Sequence, residues 1–179
     1  MQTTNAALAT EPRTVLSVGA GTQELEQWVG EGYKVVRLDI EPRTNPDICA
    51  SMTDMGAIGE FDVVFCCHAL EHLYPHEVTA AIQEFYRVLK PGGKVIILVP
   101  DLEDVRPTEE ALYRADCGPI SGLHLYYGDP QEIANGFPFM AHHCGFVAKT
   151  LEKALGLAPF EFIEAKRLPN YNLLGVGRK

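Results

Sequence analysis

The chain lacks any run of basic residues, any C-x-x-C pair and any apolar stretch long enough to span a membrane. Its 15 Lys and Arg stand against 24 Asp and Glu, a formal charge of -9 with no local basic cluster. No nucleic acid partner is expected, because neutralising phosphates takes clustered Lys and Arg. Five cysteines, Cys49, Cys66, Cys67, Cys117 and Cys144, fall partly within apolar runs. That placement predicts reduced, mostly buried thiols rather than a disulfide framework. The N-terminus lacks the basic-then-apolar pattern of a secretory signal, so a cytoplasmic protein with no membrane partner is expected. Repeats and low-complexity blocks are missing too. Residues 1–12 read as a loose tail and 13–179 as a single domain, long enough to bury a core without metal or disulfides. The pattern sets no oligomeric state.

What is present is a strand, a glycine loop and a helix pattern in immediate succession. The apolar run Val15-Leu16-Ser17-Val18 breaks at Gly19-Ala20-Gly21 and resumes with helical periodicity. Glycines there permit positive φ and let a ligand lie against the main chain where a Cβ would clash. About twenty residues on, Lys34-Val35-Val36-Arg37-Leu38 ends in Asp39, whose carboxylate can accept hydrogen bonds from both hydroxyls of a ribose. Counting G-x-G-x-x-G from Gly19 places Glu24 in the third slot, where a carboxylate would repel a pyrophosphate. A nicotinamide-dependent oxidoreductase is thereby disfavoured.

Further along, the patterning predicts strands at 14–18, 34–39, near 47–50, at 61–66 and at 93–99, with helices at 22–30, 76–89 and 146–155. Pro91-Gly92-Gly93 is expected to stop the second helix, and Leu168-Pro169-Asn170 to join a terminal antiparallel hairpin. Strands alternating with helices predict an α/β fold with a parallel sheet.

In four pieces the chain resembles the class I, Rossmann-like S-adenosylmethionine-dependent methyltransferases, specifically the small type 11 group. The pieces are Val15 to Thr22, Val35 to Asp39, Phe61 to Leu73 and Arg87 to Lys94. The resemblance implies a seven-stranded, mostly parallel sheet with a C-terminal antiparallel pair and helices on both faces. It implies S-adenosyl-L-methionine as cofactor, with Gly19, Ala20, Gly21, Asp39, Met52 and His68 as its contacts. Ser17, Gln23 and Ser51 depart from the family's usual pattern, and the alternative class is an inactive methyltransferase-like binding or regulatory module.

Residues 101–145 are expected to form a substrate lid over a small-molecule acceptor, being rich in Tyr, Phe and His. Within it His124 and His142 are the candidate catalytic groups, since imidazole can bond or deprotonate a nucleophile. His68-Ala69-Leu70-Glu71-His72 also spells H-x-x-E-H, in which two histidines one helical turn apart hold zinc. Here the pentapeptide follows a strand directly and lacks that helical context, so no metal is expected.

Overall fold

Short apolar runs become strands in the predicted order. The structure, a computed structural model, describes residues 12–19, 25–115 and 117–179. Five parallel strands come first: β1 (Thr14–Val18), β2 (Lys34–Asp39), β3 (Ile48–Cys49), β4 (Phe61–Cys67) and β5 (Leu89–Pro100). A separate hairpin follows, β6 (Ala111–Ala115) with β7 (Gly118–Ser121). Then β8 (Phe162–Leu168) and β9 (Asn172–Arg178) close the main sheet as its antiparallel pair. The seven-stranded order is β3-β2-β1-β4-β5-β9-β8.

The helices are α1 (Glu26–Val29), α2 (Val78–Arg87), α3 (Gly122–Tyr127), α4 (Pro130–Ala134) and α5 (Ala148–Leu155). In α2, Val78, Ala81, Ile82 and Phe85 recur at helical spacing and all are buried against the sheet. Full burial of Ile82 or Phe85 contributes about 2–3 kcal/mol each. Helix α5 joins the same face through Leu151 and Leu155, and Gly175 in β9 makes room for it: a Cβ there would lie 2.8 Å from Leu151 Cδ2. The opposite face carries a smaller cluster, Val15, Val63, Phe65, Ile96 and Leu98 under Leu25 and Val29. Both faces of β5 are therefore covered, which is why Val95 to Pro100 read as an unbroken apolar run rather than an alternating one.

One expectation shifts. Helix α2 ends at Arg87, and β5 already begins at Leu89, ahead of the Pro-Gly-Gly stop. Phe61 pairs with Leu89 and Val63 with Lys94, so the surplus residues bulge out of the ladder, with Gly92 at φ 76 absorbing the turn. The helix expected at 22–30 is described only over Glu26–Val29, because residues 20–24 lie outside the described residues. The 101–145 segment carries ordered elements of its own: β6, β7, α3 and α4.

Candidate functional site

From β1 the chain winds outward to β2 and β3, then returns past β1 to β4 and winds the other way to β5. The carboxyl ends of β1 and β4 therefore flank the topological switch point, where open α/β sheets bind ligands. Gly19 follows β1 at φ 62 and donates its amide to Leu38 O at 2.9 Å, drawing the start of the glycine loop toward the end of β2. Asp39 ends β2; its Oδ1 accepts the Glu41 amide at 2.9 Å, and its Oδ2 has no partner among the described residues. Met52 sits just past β3 in a turn closed by a Ser51–Asp54 bridge, half-buried against the main core. His68 leaves β4 at φ 48, a left-handed backbone rare outside glycine, with its amide bonded to Leu98 O at 2.8 Å. The structure thus sets Gly19, Asp39, Met52 and His68 along one edge of the sheet. Ala20 and Gly21 lie outside the described residues.

Beyond His68, a single helical turn over Leu70–His72 carries a buried carboxylate. Glu71 is 1% exposed, and neither of its oxygens has a hydrogen-bond partner among the described residues. His68 Nδ1 lies 3.3 Å from Glu71 Oε1, an ion-pair contact rather than a directed hydrogen bond. On the other side of the ring, Asn172 spends its Nδ2 on Pro169 O at 3.1 Å and Asn170 O at 3.2 Å, so its Oδ1 faces His68 Nε2 at 3.0 Å as an acceptor. Burial disfavours charge on His68, but Glu71 and Asn172 outweigh it and the pKa is raised. For Glu71, burial alone would raise the pKa, yet the neighbouring imidazoles, His68 foremost, leave it lowered.

The 136–144 stretch of the 101–145 segment is strapped over this edge at both ends. Arg43, in the turn after β2, donates to Gly136 O at 2.7 Å and lies 3.9 Å from the Phe137 ring centroid. At the other end the His143 and Cys144 amides bond Glu71 O at 2.9 and 3.1 Å. Within the strap, His142 donates from Nδ1 to Leu125 O at 2.9 Å and meets His72 edge-on, ring centroids 4.9 Å apart. Burial lowers its pKa, Glu71 only partly opposing the shift, so His142 is a neutral imidazole with a lone pair on Nε2.

His124 has a different part. The Ser121 amide donates to its Nδ1 at 3.2 Å, with Ser121 Oγ at 2.7 Å, in the capping box that starts α3. That bond uses Nδ1 as an acceptor, so the structure employs His124 in the helix cap.

The H-x-x-E-H residues do not adopt the arrangement their spelling suggests. His68 and His72 do not converge; the group that does is Glu71, His72 and His142, whose potential ligand atoms all lie within 4.8 Å of one another. Nothing in the sequence flagged Asn172 or Arg43, since each acts through a partner on a distant element.

Residues 16–97 match the family model described as a methyltransferase domain. Solved structures share the fold. The PH0226 protein of Pyrococcus horikoshii OT3 has a TM-score of 0.65 at 20% identity, over 94% of this chain and 82% of that one. A Burkholderia thailandensis 1,6-didemethyltoxoflavin-N1-methyltransferase, solved with 1,6-didemethyltoxoflavin and S-adenosylhomocysteine, gives 0.59 at 16% identity, over 94% of this chain and 71% of that one. Against a Nostoc punctiforme PCC 73102 protein the TM-score is 0.60 at 15% identity; 94% of this chain is covered, but only 52% of that one. The chain thus spans about half the length of some of the structures it matches.

Proposed function

We propose that this chain, whose residues 16–97 match a methyltransferase-domain family model, moves the methyl group of S-adenosylmethionine onto a nucleophilic atom of a small molecule. The observation that carries this reading is Asp39 at the end of β2. One carboxylate oxygen is fixed by the Glu41 amide and the other has no partner among the described residues, one strand from the Gly19 turn. A carboxylate so oriented is ready to accept ribose hydroxyls without reorganising.

The cofactor, when bound, supplies a methyl already made electrophilic by its sulfonium. The chain's own task is then alignment and exclusion of water. Gly19 keeps the loop start free of side-chain bulk, Asp39 accepts from the ribose, Met52 offers an apolar surface, and His68 is oriented from both sides by Glu71 and Asn172. Over them the strap covers the edge from Arg43 to Glu71, and His142 brings a lone pair to the acceptor side. The Burkholderia relative's small heterocycle supports a small-molecule acceptor, as does this chain's acidic balance.

Titration calorimetry tests the reading: S-adenosylmethionine and S-adenosylhomocysteine should bind and NAD should not. A non-catalytic binding module is the second reading, favoured by the use of His124 in a helix cap. Incubation with S-adenosylmethionine and a panel of phenols, amines and heterocycles separates the two, since only the enzyme forms S-adenosylhomocysteine.

A further inference from the structure

We propose that Glu71, His72 and His142 form a binding site for a divalent first-row transition metal ion of the zinc type. This does not depend on methyl transfer. It follows from three side chains whose present contacts leave unused what an ion needs.

Glu71 is the first. An ionised carboxylate buried to 1% exposure, with both oxygens lacking hydrogen bonds among the described residues, carries a large desolvation cost that one imidazole in ion-pair contact only partly offsets. A cation within reach of its oxygens removes that cost. His72 is the second. Its Nδ1 faces Ala141 O at 3.1 Å and its Nε2 faces His68 O at 3.2 Å. In the ring with one N–H only one contact is a hydrogen bond; the other sets a nitrogen lone pair against a carbonyl oxygen, a repulsion relieved when the ring turns that nitrogen to a metal. The third, His142, is held by Nδ1–H to the Leu125 carbonyl, the outer contact that fixes the tautomer of a metal-ligating histidine and exposes its second nitrogen.

The donor set selects the ion. Two imidazoles and one carboxylate suit zinc and its neighbours better than magnesium or calcium, which prefer oxygen alone. Cys144 lies near but points its sulfur at Leu70 O and Glu71 O, away from the converging ligand atoms. Ligand atoms now within 4.8 Å of one another would draw in by roughly 1 Å to sit about 2.1 Å from one ion. Three protein ligands leave a coordination position open, the pattern of reactive rather than purely structural zinc.

The probe is zinc alone, added to the full chain after the exposed thiols Cys49 and Cys117 have been alkylated. One equivalent should be retained through dialysis, and Glu71→Gln and His142→Ala should each weaken binding about 100-fold or more, while His76→Ala leaves it unchanged. Cobalt(II) gives a readout without any substitution: the ring signals of His72 and His142 should broaden or shift in the NMR spectrum of the wild-type chain and those of His76 should not. Zinc that the wild type fails to retain, binding that survives both substitutions, or cobalt that perturbs His76 alone would each overturn the site.

Discussion

Gly19 and Ala69 pack so closely that a Cβ built on the glycine would stand 2.3 Å from the Cβ of the alanine. The turn that follows β1 is therefore locked to the turn that follows β4, and Gly19 is required twice, by its φ of 62 and by its neighbour. Gly19→Ala should cost at least about 2 kcal/mol, read from urea unfolding, as overpacking adds to a left-handed backbone. Combining it with Ala69→Gly should recover the contact portion and not the backbone portion. A single variant as stable as wild type would show that the two turns separate freely.

Asp39→Ala should weaken S-adenosylhomocysteine by at least tenfold in calorimetry, since losing a carboxylate that bonds two hydroxyls costs about 1.5–3 kcal/mol. Asp39→Asn keeps one acceptor oxygen and should fall between the two. Equal affinity for all three chains would remove Asp39 from the cofactor site.

At the opposite end of the sheet, Asp62 joins β4 to β1 and β5. Burial would raise its pKa, but Lys90 Nζ at 2.8 Å, with the Thr14 amide at 2.8 Å and hydroxyl at 3.0 Å, holds it at about 2. A carboxylate whose folded pKa is depressed adds stability that is complete above its unfolded pKa, near 4, and lost as pH falls toward 2. Partial exposure keeps the contribution on the order of 1 kcal/mol. Asp62→Asn should lower stability at neutral pH and flatten its dependence between those limits, as followed by urea unfolding at stepped pH.

Arg43 fastens the far end of the strap through Gly136 O and the Phe137 ring. Arg43→Ala should speed hydrogen exchange at Phe137 and Met140 while leaving His143 and Cys144 protected, because those two amides bond Glu71 O. Uniform acceleration across 130–144 would mean that the strap opens as one piece.

The sheet was legible because each strand announces itself locally. Val15 to Val18, Lys34 to Asp39 and Phe61 to Cys67 are mainly apolar runs ended by turn-forming or polar residues, and in β1 and β4 burial on both faces makes them nearly continuous. The start of β5 was misjudged because a bulge lets a strand pass through Pro-Gly-Gly, which local rules treat as a stop. The hairpin of β6 and β7 stayed hidden for a related reason: its residues are mostly half-exposed and show no alternation, so pairing across the turn rather than pattern defines it.

By itself the sequence determined the α/β order, the glycine turn and the acid at the end of β2, since these depend on backbone freedom and apolar periodicity within short windows. Only the tertiary structure decided what the histidines do. His124 and His142 looked alike in a chain read residue by residue. One found Ser121 in its own helical turn and became part of a cap; the other was carried by the strap to within 4.8 Å of Glu71, distant in sequence. Charge, burial and the choice of tautomer arise from neighbours that the chain brings together late, and no local pattern encodes them.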